Sequence, residues 1–261
     1  MTPIFSFLII AFIVGIVTAG LNIKFDRFFA IILLAQLAKF SVWESINIFL
    51  WILLFGAGFI LLKNKDKLKN IPAKNKKNFL TLVPLLALLG AWAGTVIFAN
   101  VSEKTLLITI GVLALLYGLR LVFLHFKPHE LDYKNEKPLY QKICGFFGPV
   151  ISGFFAGFVG TTLKPLKIPF AVKLGKMTLS QVYLGNTITA FYASLFAIIL
   201  HCFYATPGTA MTENDILSGI SLWIGIHIMF GLTMMVFKDR WRKPFQIIIG
   251  LILMIVAFKF F

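Results

Sequence analysis

The residues best placed to do chemistry are lysines in a stretch where lysine is costly. Thr161-Thr-Leu-Lys-Pro-Leu-Lys-Ile-Pro169 interrupts a long apolar run, and Lys173 and Lys176 follow it. On one continuous helix through lipid, each lysine near the centre would cost on the order of 2.5–3.5 kcal/mol. Pro165 and Pro169 have no backbone N–H and restrict the residue before them. The chain is therefore expected to break and to restart near Ile168, with Pro169 in the first turn of the new helix and Lys173 and Lys176 at its cytoplasmic end. Counted back from that end, the restart lies roughly 10–14 Å inside the membrane. Irregular backbone at such depth needs protein or a wet cavity around it, which puts Lys164 and Lys167 at the tip of a re-entrant hairpin. The alternative is a plain short span whose lysines snorkel to the far surface.

The first part of the chain holds a matching tip, Gly20-Leu-Asn-Ile-Lys-Phe-Asp-Arg27, where Asp26 can cap a restarted helix. Two restarted helices would aim their N-termini, each equivalent to about half a positive charge, at one central region. Freed backbone N–H groups, the hydroxyls of Thr161 and Thr162, the Asn22 amide and the ammonium of Lys24 or Lys164 are the donors that a small oxyanion needs. Asn186 and Thr187 form a second tier of binding candidates. Trp43, Glu44, Ser45 and Asn47 lie at a similar distance from the first tip. The ordinary role of such hydroxyls and amides is interhelical hydrogen bonding worth about 0.6 kcal/mol each. A carboxyl beside a cavity has another use, and Glu44 is the candidate for coupling proton movement to anion movement; near the interface it would simply stay solvated.

The elements that must carry these residues are membrane helices. Of the 261 residues 59% are apolar and 13% charged, which excludes an ordinary soluble domain, a disordered chain and a disulfide scaffold. Eight apolar runs are long enough to span: 3–21, 40–62, 79–99, 105–126, 143–163, 181–205, 216–237 and 245–261. Two more, 28–38 and 168–174, are too short to span unaided and follow the first long segment of each half. The first run lacks the basic region of a signal peptide and is read as a retained membrane segment. The formal charge of +15 lies mostly between the runs, where it sets topology and does not bind nucleic acid. Lys63–Asn78 has seven lysines against Asp66, and Lys238–Lys243 has four basic residues against Asp239, so both face the cytoplasm. The connection from Ala205 to Asp215 has Glu213 and Asp215 and no Lys or Arg, and lies outside.

By these assignments the span 40–62 runs inward while its counterpart 181–205 runs outward. The expected fold is an all-α polytopic membrane protein of two inverted repeats, residues 1–126 and 143–261, joined by a cytoplasmic linker, residues 127–142. Each repeat has five helical segments, about ten in all, including a short or re-entrant helix in each half. The expected location is the cytoplasmic (inner) membrane, crossed several times, with the lipid bilayer as surroundings.

Other chemistries find little support. His125, His129, His201 and His227 are scattered and no acidic cluster accompanies them, so no metal site is expected. No phosphate-binding GxxxxGK[ST] spacing and no nucleophile elbow occur, so no cofactor and no enzymatic activity are expected. Cys144 and Cys202 are read as buried small hydrophobes.

Gly153-Phe-Phe-Ala-Gly157-Phe-Val-Gly160-Thr-Thr-Leu-Lys-Pro-Leu-Lys-Ile-Pro169, followed by Gly185-Asn-Thr-Ile-Thr-Ala190, resembles the TauE/SafE sulfite exporter family of membrane permeases. The resemblance is sharp over about forty residues and extends to the whole chain in segment layout. It implies two related halves, each opening with a Gly-rich helix, a break and a short helix. It also implies a small anion such as sulfite, thiosulfate or an organosulfonate as substrate. Gly157, Gly160 and Pro169 match the motif, whereas Thr161, Thr162 and Lys164 stand where the family commonly has a glycine cluster. The expected function is a secondary-active transporter of a small sulfur-containing anion, bound near the midplane and moved by alternating access, with protons as the candidate coupling ion. The rivals are a ten-helix metabolite or drug exporter whose segments all span, and a membrane-embedded enzyme or accessory subunit.

Overall fold

The computed structural model describes residues 3–21, 29–66, 73–123, 138–164, 167, 179–204 and 209–261. Its elements are α1 (Pro3–Gly20), α2 (Phe29–Leu33, continued by a π turn over Leu34–Ala38), α3 (Val42–Lys63), α4 (Ala73–Leu80), α5 (Leu82–Asn100), α6 (Glu103–Phe123), α7 (Pro138–Val159), α8 (Leu179–Phe203), α9 (Glu213–Val236) and α10 (Arg242–Ala257). No strand occurs among the described residues. Among the described residues, seven helices are long and apolar enough to cross a membrane: Val42–Lys63, Lys77–Asn100, Glu103–Phe123, Lys142–Val159, Val182–Phe203, Glu213–Val236 and Arg242–Phe260.

These ranges follow the apolar runs because charged or turn-forming residues bound most of them. Large apolar side chains such as Leu8, Leu85, Leu89, Leu232 and Ile255 stay exposed, a surface suited to lipid and unsuited to water. The helix α1 covers the first apolar run, Pro3–Gly20. One expectation shifts. The run expected over 143–163 ends as helix at Val159, because Gly160 turns left-handed at φ 75°.

Two compact units divide the chain. The first comprises Met1–Ile52, Asn100–Phe126 and Met211–Phe261, and the second Leu53–Ala99 and Lys127–Ala210. In the first unit, α1 packs along α9. Gly15 sits against Met229 and Ala11 against Gly225, so the register advances by four in both helices and the pair is parallel. In the same unit α6 packs on α10 with opposite polarity, Gly111 beside Ala257 and Gly118 beside Gly250. A Cβ on either Gly118 or Gly250 would meet the other's carbonyl oxygen at 2.6 or 2.9 Å.

In the second unit α7 packs on α8 and also runs parallel to α5. Gly153 and Gly157 lie against Ala87 and Ala91, while Gly90 and Gly94 lie against Val150 and Phe154. Small residues at a four-residue spacing on both helices let the two backbones touch.

Candidate functional site

The end of α7 builds the site. The Gly160 N–H donates to the Ala156 carbonyl (3.0 Å) and the Thr161 N–H to the Phe155 carbonyl (3.2 Å), a glycine-closed helix terminus. Thr161, Thr162 and Leu163 are not helical, and Leu163 takes φ 50°, a left-handed conformation that a branched side chain rarely adopts. The Thr161 hydroxyl accepts from the Leu163 N–H at 3.4 Å, within the turn itself.

Beyond the turn the chain comes back along α7. The Ser152 hydroxyl reaches the Thr162 carbonyl at 3.4 Å, and the Lys167 ammonium donates to the Gly148 carbonyl at 3.4 Å and to the Ser152 hydroxyl. Residues further along the chain thus meet residues earlier on α7, which is the reversal of a hairpin. Helical bonding has resumed by Lys167, whose N–H donates to the Leu163 carbonyl at 3.0 Å. Lys164 and Lys167 are both helical, so the restart comes about one turn before the expected Ile168. The expectation treated Pro165 as a breaker, whereas a proline beside the first helical residue removes no intrahelical bond.

This geometry takes Lys164 inside. Thr161 and Thr162 are each 1% exposed, and Lys164 is 5% exposed. Its ammonium lies 3.7 Å from the centroid of the Tyr183 ring, in the first turns of α8. A cation on a desolvated aromatic face gains about 2 kcal/mol or more, which offsets part of the cost of burying it. Asn186 and Thr187 stand three and four residues after Tyr183 and therefore on the same helix face. Asn186 is half-buried; Thr187 is fully buried, and its hydroxyl donates to the Tyr183 carbonyl at 2.8 Å. Lys164, Tyr183, Thr187, Ser152 and Lys167 all belong to the second compact unit. An ammonium group and hydroxyls with lone pairs and protons to redirect are groups that can meet a small anion.

Asn22 and Lys24 lie outside the described residues, as do Asp26, Pro169, Lys173 and Lys176. Glu44 belongs to the first unit and is half-buried at the start of α3. Its carboxylate accepts from the Ser41 N–H and the Ser41 hydroxyl, both at 2.8 Å, and the Ser41 hydroxyl accepts from the Glu44 N–H at 3.2 Å. This is a capping box. Of the nearby polar residues, Ser45 donates back to the Ser41 carbonyl at 2.9 Å, and Asn47 is buried. Among the described residues no three His, Cys, Asp or Glu side chains gather as metal ligands would. Cys144 is half-buried and Cys202 exposed, so neither is the buried small hydrophobe expected; Cys202 falls on an outward position of the last turn of α8.

Sequence reasoning missed Tyr183, although its spacing from Asn186 and Thr187 marks the shared face. It also set aside His201, which is 1% exposed, contacts the Gly157 carbonyl at 2.8 Å and stacks on Phe98 at 4.1 Å.

No curated protein and no solved structure matches the chain. The family described as Sulfite exporter TauE/SafE matches residues 7–260, nearly its whole length and both compact units. With the glycine-closed break, the helical return and the membrane-spanning helices all inside the matched range, the chain belongs to the TauE/SafE sulfite exporter family.

Proposed function

We propose that this chain is a secondary-active transporter of a small sulfur-containing anion, such as sulfite, thiosulfate or an organosulfonate, working by alternating access in the cytoplasmic membrane. The observation that carries the reading is the Lys164 ammonium, 5% exposed and seated on the Tyr183 ring at a reversal of the chain. A buried cation held by a polarisable ring, with no fixed fork of donors, can swing to an incoming oxyanion and back, which suits release as well as capture. Thr161, Thr162, Asn186 and Thr187 supply the neutral donors; in the first half Asn22 is their counterpart and Lys24 that of Lys164.

The reading also takes the chain as two inverted copies, residues 1–126 and 143–261, joined by the linker 127–142. Three helix pairs support it. The first long helix of each copy runs parallel to the third long segment of the other, α1 with α9 and α7 with α5, and the last helices, α6 and α10, pair with opposite polarity. Two copies related by an axis in the membrane plane produce this pattern, and each compact unit then draws on both copies.

Flux into proteoliposomes tests the reading, with sulfite, thiosulfate, sulfate and sulfoacetate compared, with and without a proton gradient, for the native chain and Lys164→Ala. Saturable movement of one sulfur anion is expected, reduced roughly tenfold or more at low concentration by the substitution, or ~1.4 kcal/mol of lost affinity. Equal flux in a folded Lys164→Ala protein would remove the lysine from the site.

A further inference from the structure

We infer that His201 is a positioning residue for the anion site, holding from α8 the last turn of α7 so that the Thr161–Lys164 leg starts in one place. The inference rests on the anion-transport reading above. In an uninterrupted helix the Gly157 carbonyl would accept from the Thr161 N–H. That N–H goes to the Phe155 carbonyl instead, at 3.2 Å, as the helix closes. His201 takes over the vacant role, with Nε2 2.8 Å from the Gly157 oxygen. A carbonyl only accepts, so Nε2 carries the proton and donates.

The ring is held in turn. It stacks on Phe98 of α5 with centroids 4.1 Å apart and planes 17° from parallel, and only 1% of His201 is exposed. Gly157 has no room to slide, because a Cβ there would collide with the Ala91 carbonyl and would stand 2.9 Å from the Thr95 hydroxyl. Helices α5, α7 and α8 are thus tied at one level. Three residues later the chain turns at Gly160, and four residues beyond that it places Lys164. A loose last turn would leave the break free to wander and the ammonium without a set position. His201 acts only through this backbone and does not itself touch the site.

The test uses the full chain and the variants His201→Ala, His201→Phe and His201→Gln. Phenylalanine keeps a stacking ring and removes the donor, while glutamine restores an N–H. Two quantities are read: sulfite KM and maximal flux in proteoliposomes, and amide hydrogen exchange over peptides spanning Gly160–Lys164, with α6 and α10 as internal reference. The phenylalanine variant is expected to exchange faster over Gly160–Lys164 only and to raise sulfite KM roughly tenfold with a smaller change in maximal flux. The glutamine variant should recover most of both. Native exchange and KM in His201→Phe overturn the inference, and so does failure of glutamine to recover either. If His201→Ala does not fold, the other two variants decide. If Lys164→Ala leaves sulfite flux intact, the transport reading falls, while exchange over Gly160–Lys164 still judges His201.

Discussion

The two compact units each contain a pair of parallel helices in close contact, and they achieve it differently. In the second unit, Gly90 and Gly94 of α5 meet the backbone of α7 while Gly153 and Gly157 of α7 meet the backbone of α5. A Cβ at any of the four would collide with a main-chain carbonyl oxygen: Val150, Phe154, Ala87 or Ala91. In the first unit, a Cβ on Gly15 of α1 would collide with the Met229 Cβ and stand 3.1 Å from the main chain of Met229 and Phe230, whereas one on Gly225 of α9 would meet the Ala11 Cβ at 3.0 Å. All four glycines of the second pair are blocked by main-chain oxygens, whereas in the first pair Gly225 has some room. The stiffer pair belongs to the unit with the chain break and the buried lysine. Site geometry on broken helices depends on what the unbroken part leans on.

The sharpest way to break this comparison is Gly94→Ala. Its Cβ would strike the Phe154 carbonyl, with the Phe158 nitrogen 2.9 Å away, so the helices must part. Overpacking of this kind costs about 1–3 kcal/mol, and the lost interhelical contact adds to it. The detergent-purified variant should lose much of its thermal stability or its monodisperse peak. A native melting profile would mean that the α5–α7 contact is looser than the second unit requires.

A smaller effect is expected from Gly225→Ala in the first unit, where the neighbour Ala11 need move only a few tenths of an ångström. Gly231→Ala on the same helix serves as control, since nothing lies within 4 Å of its added Cβ. The control should be neutral or gain up to about 1 kcal/mol from helix propensity, and Gly225→Ala should fall between it and Gly94→Ala in the same melts. If Gly225→Ala proves as damaging as Gly94→Ala, the two parallel pairs are equally stiff and the contrast fails.

What the sequence displayed and what it hid divide along contact range. Spans were readable to within a few residues because apolar runs end at charges, as at Lys63, Glu103 and Glu213. The break after Gly160 was readable because two prolines and four lysines cannot share one lipid-embedded helix. The burial of Lys164, Thr161 and Thr162 agrees with a protein-enclosed break. Tyr183 under Lys164 and His201 on Gly157 were not readable, since the second contact joins residues 44 apart and only packing brings them together. Glu44 shows the converse: Ser41-Val-Trp-Glu44 spells a capping box in the sequence itself, and a carboxyl in an apolar setting drew attention to protons first.

The two units differ in the same way in their charges, and here the smallest effect is expected. In the first unit the carboxylates close local caps: Glu44 with Ser41, and Asp215 with Thr212, whose N–H reaches the Asp215 carboxylate at 2.7 Å. A third, Glu103, accepts the Val42 N–H at 3.1 Å and so finishes the same helix start that Glu44 caps. In the second unit Lys164 rests on a ring, a partner it can leave. Glu44→Gln separates these roles, because glutamine still reaches back to the Ser41 N–H but cannot ionise. Only the favourable charge at a helix N-terminus disappears, about 0.3–1 kcal/mol, so melting should shift slightly. Sulfite flux, and its response to an imposed proton gradient, should match the native chain. Loss of that response in the glutamine variant would show that the carboxyl does more than cap α3, and would move proton coupling into the first unit.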